Sequence, residues 1–183
     1  KLKKPDKIIS LLRLIAFQIG GEVSLPELGS QLGLDKNTVE RYLDLLTKVF
    51  VLYKVEAYSR NPRKEISKSS RWYFYDNGIR NALIANVNTL AFRDDTGQLW
   101  ENYLISERLK YQAYNNMLVN NYFWRTYRKQ EIDWVEERGG KIYGYEFKWN
   151  LKKIKGAPST WKEFYPDAEF ITIHQDNYLD FIT

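Results

Sequence analysis

The sequence predicts a mixed α+β or α/β protein, helical in its first part and alternating helices with strands afterwards. Three observations support this class. Between residues 7 and 49 apolar residues recur at the spacing of amphipathic helices. Three short runs between residues 121 and 149 have strand-like alternation. The pair Gly139-Gly140 separates the last two runs, as in a tight β-hairpin.

Composition narrows the class of protein further. The 183 residues are 44% hydrophobic and 16% aromatic, which is enough for a packed core. No apolar run is long enough to cross a bilayer and no signal peptide opens the chain, so we expect a cytoplasmic protein without membrane contact. Zero cysteines and one histidine, His174, exclude a disulfide framework and a conventional zinc site. Any metal must therefore have oxygen ligands.

Charge is unevenly distributed along the chain. Residues 1–75 contain 14 Lys and Arg against 8 Asp and Glu, a net charge of +6. Residues 76–183 contain 14 against 15, a net charge of −1. The basic first part suggests an anionic partner, with nucleic acid as the first candidate, although a solvated basic face would have the same composition.

Three helices are predicted in the first part. The first runs from Lys7 to Ile19 and ends at Gly20-Gly21. A capping box at Ser24-Leu-Pro-Glu27 begins the second, which ends at Gly33. Asp35 is the expected N-cap of the third helix, which places an apolar stripe on one side and polar residues on the other.

The stretch LPELGSQLGLDKNTVERYLDLL resembles a helix-turn-helix, and LYKVEAY and WYFYD, flanking the basic turn SRNPRKEISKSS, look like a wing. We therefore predict a winged helix-turn-helix domain over residues 1–75. The residues expected to contact DNA are Lys36, Asn37, Thr38, Arg41, Arg63 and Lys64. Glu40 and Asp44 interrupt the positive face, so a protein-contact domain remains the alternative.

A second domain is predicted over residues 76–183. After a short helix near residues 76–86, Thr96-Gly97 opens a longer one through QLWENYLISERLKYQAY. Strands follow near residues 121–127, 131–136 and 141–149, then a helix over 158–165 and a strand over 169–174. The predicted order is α-β-β-β-α-β.

The hairpin carries charges where a structural hairpin would avoid them. If Gly139-Gly140 is a two-residue turn, residues whose numbers sum to 279 face each other, and Asp133 lies opposite Glu146. Two carboxylates so placed repel each other, so a cation is expected between them. Period-two alternation puts Lys148 on the face of Glu146 and turns the aromatic residues Tyr145, Phe147 and Trp149 towards the core.

Two carboxylates without imidazole or thiolate suit Mg²⁺ or Mn²⁺. We expect Asp133 and Glu146 to be the metal ligands, with a backbone carbonyl near Phe147 as the third. Lys148 would then orient a water and stabilise charge on a phosphate, as in metal-assisted phosphodiester hydrolysis. The alternative is that these residues only face water on an edge hairpin.

Asp133, twelve intervening residues and Glu146-Phe-Lys148 resemble the D…[DE]-x-K signature of the PD-(D/E)XK nuclease superfamily. The resemblance implies a restriction-endonuclease-like α-β-β-β-α-β domain and a magnesium-dependent site. It extends to the helix GQLWENYLISERLK, where Glu101 stands at the position of an acidic residue that assists near the metal. Ile132 replaces the proline that precedes the first aspartate in the family pattern.

Nearly the whole chain, including the stretch YFYDNGIRNALI, resembles the C-terminal part of predicted prokaryotic AAA-type ATPases that carry a C-terminal domain of unknown function. This implies a partner, an N-terminal ATPase domain of the same chain, outside these 183 residues. The absence of a phosphate-binding loop and of an initial methionine agrees with that expectation. The fragment itself is not expected to hydrolyse ATP.

The leading functional hypothesis is a DNA-interacting module of an ATPase that acts as a magnesium-dependent endonuclease. A catalytically inert binding or regulatory module, which couples the ATPase to DNA or to a protein partner, is the second. A transcription regulator that needs only the winged helix is the third. A homodimer is compatible with cutting both strands of a duplex.

Overall fold

The computed structural model describes residues 5–60, 63, 65 and 69–183. The described helices are α1 (Pro5–Phe17), α2 (Leu25–Leu32), α3 (Lys36–Lys48), α4 (Asn77–Leu83), α5 (Thr96–Tyr114), α6 (Ser159–Phe164) and α7 (Leu179–Ile182). The described strands are β1 (Leu52–Tyr58), β2 (Ser70–Phe74), β3 (Asn120–Arg125), β4 (Glu131–Arg138), β5 (Lys141–Phe147) and β6 (Glu169–Ile173). The protein is therefore mixed α/β, as the sequence predicts.

Every predicted helix and strand is present, with ends that differ by a few residues. The order α5-β3-β4-β5-α6-β6 confirms the predicted succession of elements in the second part. Among the described elements, α7 and two single turns of 3-10 helix, Leu90–Phe92 and Leu151–Lys153, were not predicted. Segments of three or four residues are too short to show a period.

The described chain forms two compact units. The first comprises the residues up to Lys54 and Ser70–Arg93, and the second comprises Val55–Ser69 and Asp94–Thr183. The predicted domain boundary after residue 75 instead assigns residues 55–69 to the first domain and 76–93 to the second. Since compactness alone does not define a folding domain, that boundary stays a prediction.

In the first unit, both predicted helix caps are present. Ser24 accepts a hydrogen bond from the backbone N–H of Glu27 at 3.4 Å. Asp35 accepts from the backbone N–H of Thr38 at 2.9 Å and from its hydroxyl at 2.6 Å. These bonds lower the pKa of Asp35, the hydroxyl bond most of all. Gly33 ends α2 in the left-handed conformation, so the chain turns sharply into α3.

The described strands form one mixed sheet in the order β2-β1-β3-β4-β5-β6. In the second unit, β1 pairs in parallel with β3 through Glu56, Ala57 and Tyr58. β1 thus lies between β2 and β3 in the sheet, and its pairing with β3 was not predicted from the sequence. β4 is antiparallel to β3 and β5, and β6 is parallel to β5. The C-terminal ends of β3, β5 and β6 therefore share one edge with the start of β4, called here the carboxyl edge.

Helices cover both faces of this sheet in the second unit. Tyr145 and Phe147 are buried against Phe181 of α7, with ring centroids 4.8 and 5.6 Å apart. On the other face, a Cβ at Gly144 would lie 3.2 Å from the ring of Trp161 in α6. Glycine at this position allows α6 to approach the sheet. The core on the α6 face consists of Tyr58, Trp124, Ile132, Val135, Ile142, Trp161 and Tyr165.

A buried ion pair joins α5 to β4. Arg108 donates to both carboxylate oxygens of Glu136, at 2.6 and 2.8 Å, and both residues are buried. Gln112 and the indole of Trp134 donate to the same carboxylate at 2.8 and 3.1 Å. Arg108 also donates to the carbonyl of Phe181 at 2.6 Å. Burial acts to lower the pKa of Arg108, but Glu136 outweighs it, so the pKa is raised and the pair stays charged.

None of the helices in the described ranges combines the length and the apolar character needed to cross a bilayer.

Replacing Arg108 by Met should lower the free energy of unfolding by about 3 kcal/mol, because the buried Glu136 carboxylate would lose its bidentate partner. Arg138, whose Nε lies 3.1 Å from Glu136 Oε2, would remain beside it, so we expect the low end of the range for a broken buried pair. Urea unfolding at pH 7 measures this change. The control is Lys110→Met in the same helix, where the pair with Glu107 is partly exposed and the expected loss is below about 1 kcal/mol. Equal losses in the two variants would show that the buried pair contributes no more than a surface pair.

Candidate metal centre

The β4–β5 hairpin has the register that the sequence predicts. Trp134 pairs with Tyr145 and Arg138 pairs with Lys141, and both pairs of numbers sum to 279. The two turn glycines, 139 and 140, have φ angles of 56° and 74°, the left-handed region that side chains disfavour. The paired residues end with Trp134 and Tyr145, and Asp133 and Glu146 are the next residues along the two strands.

On its other side, β4 carries an extra residue next to Asp133. Tyr122 pairs with Val135 and Trp124 pairs with Ile132, so β3 advances two residues while β4 advances three. Ile132 and Val135 both pack in the core on the α6 face, although regular alternation would send them to opposite faces. A bulge of this kind bends a strand and changes the direction of a side chain, and is frequent beside active sites. The sequence does not reveal it.

Asp133 is buried, with 7% of its surface exposed. Its Oδ2 accepts a hydrogen bond from the backbone N–H of Phe147 at 2.8 Å. This bond ties the aspartate to the residue between Glu146 and Lys148. The carboxylate of Asp133 is thus held at the end of β5, close to the two other predicted site residues.

Glu146 and Lys148 form an ion pair on one face of the strand end. Lys148 Nζ donates to Glu146 Oε1, and the two side chains are 26% and 17% exposed respectively. The other oxygen of Glu146, Oε2, is buried and has no hydrogen-bond partner among the described residues. A buried carboxylate oxygen in this condition is costly, and a cation would relieve that cost.

Burial and neighbouring carboxylates shift the pKa values of Glu146 and Lys148. Burial and the charge of Asp133 raise the pKa of Glu146 to about 7, although the hydrogen bond and charge of Lys148 act in the opposite direction. Burial acts to lower the pKa of Lys148, but Asp133, Glu146 and Glu101 outweigh it, and that pKa is raised. Lys148 is therefore protonated at neutral pH, where Glu146 exchanges its proton.

Glu101, on α5, is partly buried and close enough to Lys148 to act on its pKa. However, within the part of the chain that the structure describes, no three His, Cys, Asp or Glu side chains come close enough together to hold a metal ion. Asp133 and Glu146 thus form a two-carboxylate site. Such a donor set fits Mg²⁺, which takes one or two carboxylates and keeps several waters.

The predicted DNA-reading residues of α3 lie on its outer side. Lys36, Asn37 and Arg41 are exposed. Thr38 is half-buried, and its hydroxyl is already bonded to the N-cap Asp35. Three of the four predicted residues on this helix are therefore open to a ligand.

Of the two contacts predicted in the basic turn, Arg63 is among the described residues. Arg63 is exposed and belongs to the second compact unit, not to the unit that contains α3. Lys64 lies outside the described residues. Consequently, Arg63 is grouped with the sheet that carries Asp133 and Glu146.

Glu65, in the same turn, is a residue that sequence reasoning missed. It is fully buried and accepts hydrogen bonds from the indole of Trp124 at 2.5 Å, from the Tyr165 hydroxyl, from Ser59 at 3.2 Å and from the backbone N–H of Arg60 at 3.0 Å. A lone glutamate in a lysine-rich turn looks solvated in sequence. Its donors come from positions up to 100 residues away, so no local signal points to its burial.

Two family models match different parts of the chain. Residues 1–90 match a model described as "Domain of unknown function (DUF8612)", and residues 96–179 match one described as "Domain of unknown function (DUF4143)". Each covers just under half of the 183 residues. Glu101, Asp133, Glu146 and Lys148 all fall within the second match. The gap between the matches coincides with Arg93, where the first compact unit ends.

Two curated relatives are similar to the chain. An uncharacterised protein of Mycobacterium bovis and one of Mycobacterium tuberculosis are each 29% identical to it over 137 residues. The match covers 74% of this chain and 30% of each relative. Both relatives are thus much longer than the chain described here. No solved structure matches the chain.

The raised pKa of Glu146 predicts a pH dependence of stability. The folded state binds the Glu146 proton more tightly than the unfolded state, so the free energy of unfolding should fall as pH rises from about 4.5 to 7. In Glu146→Gln this contribution is absent. The variant should therefore gain on the order of 2 kcal/mol relative to the wild type between pH 5 and pH 8. Urea unfolding at both pH values measures the gain, and parallel stability curves would contradict it.

Proposed function

We propose that the chain is a nucleic-acid-interacting module of a larger ATPase and that its hairpin site hydrolyses phosphodiester bonds in a magnesium-dependent reaction. The observation that carries this proposal is the meeting of a buried carboxylate, Asp133, a half-buried one, Glu146, and a lysine at the open end of the hairpin. One carboxylate oxygen there has no hydrogen-bond partner among the described residues. A purely structural hairpin has no reason to keep this arrangement.

We also propose the finer fold assignment, a winged helix-turn-helix followed by a restriction-endonuclease-like domain. Support comes from the two capped helices α2 and α3, and from the order α5-β3-β4-β5-α6-β6. The strand order β3-β4-β5-β6, with the parallel pair at β5 and β6, agrees with the assignment. The spacing of Asp133, Glu146 and Lys148 is the sequence support.

In the proposed reaction, Asp133 and Glu146 hold the divalent ion. Bound Mg²⁺ supplies Lewis-acid stabilisation of the phosphate and a more acidic water. Lys148 remains protonated, and its ammonium stabilises the negative charge that develops on the phosphate oxygens. The bond from the backbone of Phe147 orients Asp133, and Glu101 contributes negative charge beside Lys148. Each role follows from a contact or charge at the site.

The place of this module in a larger ATPase is part of the proposal. It rests on the resemblance to C-terminal parts of predicted AAA-type ATPases. The match covers only 30% of each curated relative, so those proteins are long enough to contain a further domain. An ATPase domain of the same protein would then be a partner of this chain, and cleavage would depend on its state.

A catalytically inert binding or regulatory module is the second candidate, and one contact favours it. Lys148 already forms an ion pair with Glu146, which partly neutralises the site without a metal. In that case the chain would couple the ATPase to DNA or to a protein partner. Metal binding distinguishes the two candidates.

Calorimetric titration of Mn²⁺ should show one site in the wild type and none in the double variant Asp133→Asn/Glu146→Gln, because the variant removes both charged ligands. The matched control is Glu40→Gln/Asp44→Asn on α3, which removes two exposed carboxylates and should bind Mn²⁺ like the wild type. Absence of binding to the wild type would favour the inert module.

Lys148→Ala should reduce nicking of supercoiled plasmid in Mn²⁺ by about 100-fold or more, because the cation next to the phosphate is lost. Mn²⁺ binding and the unfolding transition should be retained. A variant that nicks at the wild-type rate would remove Lys148 from the mechanism.

The α3 surface gives a separate prediction. Lys36→Ala/Arg41→Ala should lower affinity for duplex DNA about tenfold or more and reduce the salt dependence of binding by about two phosphate contacts. Fluorescence anisotropy at several salt concentrations measures both. Arg13→Ala, an exposed cation on α1, is the control. If the double variant binds as the control does, α3 is better explained as a protein-contact helix.

A further inference from the structure

We propose that a groove at the carboxyl edge, formed by Arg63, Tyr127 and Arg128, binds an unpaired nucleic-acid strand next to the hairpin site. The proposal rests on the function proposed above and names the part of the substrate that this groove would hold. None of these three residues is among the metal-site residues. All of them lie in the second compact unit.

The groove is a cavity of about 320 Å³ between the β3–β4 turn, α6 and Arg63. Thr126, Tyr127 and Arg128 line it from the turn, and Thr160, Glu163 and Phe164 line it from α6. One acidic residue thus faces two arginines. Lys129, next in the turn, is also exposed, so the surroundings carry an excess of positive charge.

Buried hydrogen bonds fix Glu65, which lies two residues after Arg63. Glu65 forms an antiparallel bridge with Thr126 of the β3–β4 turn. The Glu65 carboxylate is fully buried and accepts from the side chains of Trp124 and Tyr165. The fixed glutamate lies two residues from Arg63, which lines the same cavity as the turn, so less conformational entropy should be lost when Arg63 binds an anion.

Hydrogen bonds also connect the β3–β4 turn to α6, which forms the opposite wall of the groove. Gln130, at the end of the turn, accepts a hydrogen bond from the backbone N–H of Thr160 at 3.1 Å and donates to Ser159 at 3.3 Å. Its own backbone N–H donates to the hydroxyl of Thr126 at 3.2 Å. These bonds connect the turn to α6, so the two walls keep a defined separation.

Charge and exposure point to a nucleic-acid strand. Arg63 and Arg128 are exposed, and a guanidinium binds phosphate through two parallel hydrogen bonds. The ring of Tyr127 is 64% exposed between them in the lining. An exposed aromatic ring beside arginines is a stacking platform for a base that is not paired. A duplex keeps its bases stacked inside and would use only the arginines.

The groove lies within reach of the hairpin site along the same edge. Arg128 precedes Asp133 by five residues, so their Cα atoms are at most about 18 Å apart. A strand bound at Tyr127 would thus need only a few nucleotides to reach Asp133 and Glu146.

Binding of fluorescein-labelled single-stranded and duplex 16-mers, measured by anisotropy as salt is varied, tests the groove. Arg63→Ala/Arg128→Ala should weaken single-strand binding at least tenfold and lower the salt slope by about 1.4, which corresponds to two phosphates. Tyr127→Ala should weaken single-strand binding at least fivefold and duplex binding less than twofold. The charge-matched control Lys110→Ala/Lys141→Ala removes cations distant from the groove and should change affinity less than twofold.

Photo-crosslinking shows directly where the single strand binds on the protein. A benzophenone amino acid in place of Tyr127 should crosslink to the single strand. The same substitution at Tyr114, which is 82% exposed at the C-terminal end of α5, should not. Circular dichroism shows that the variants are folded. Equal crosslinking at the two positions, or groove variants that bind as the control does, would overturn the proposal.

The experiments distinguish failure of the groove proposal from failure of the metal-site proposal. If the groove proposal alone is wrong, the wild type binds Mn²⁺ and DNA, but the groove variants bind DNA normally. If the nuclease proposal alone is wrong, the groove variants lose strand binding, while Mn²⁺ does not bind and no plasmid is nicked. A wild type that binds no single-stranded DNA overturns the groove proposal whatever the metal result.

Discussion

The register of the β4–β5 hairpin is the constraint on which the candidate site depends. Two glycines with positive φ form its turn, and the pairing they set extends to Trp134 and Tyr145, the residues next to Asp133 and Glu146. Because side chains alternate along a strand, a slip of one residue would send Glu146 to the face of Tyr145 and Phe147. The site would be lost and a charge would enter the aromatic core. The turn thus controls chemistry at the far end of two strands.

The carboxylates inside the second unit differ in the number of hydrogen bonds that they accept. Glu136 and Glu65 each accept several hydrogen bonds from buried donors, and they join α5 to β4 and the loop after β1 to β3. Glu146 has one donor, Lys148, and a second oxygen without a partner among the described residues. The first two have the pattern of structural glutamates. In Glu146, Oε2 can still bind a cation, which is the physical basis of the proposed metal site.

The carboxyl edge brings together features that are distant in the chain. Asp133 lies near the start of β4, Glu146 lies near the end of β5 and Lys148 follows it, and the turn after β3 carries Tyr127 and Arg128. The loop after β1 adds Arg63 through the buried Glu65. This edge thus combines the proposed site for a divalent ion with a cationic groove on one compact unit. The proposed cleavage site and the proposed strand-binding groove are therefore neighbours.

Local patterns in the sequence determined the helices, the strands, the helix caps and the hairpin register, because periodicity, capping residues and turn glycines act within a few residues. They also determined that Asp133, Glu146 and Lys148 share the hairpin end. Only the tertiary structure decided the parallel pairing of β1 with β3, the bulge beside Asp133 and the burial of Glu65 and Glu136. Each of these depends on partners far away in the chain, and separation in sequence leaves no period or motif from which such contacts can be predicted.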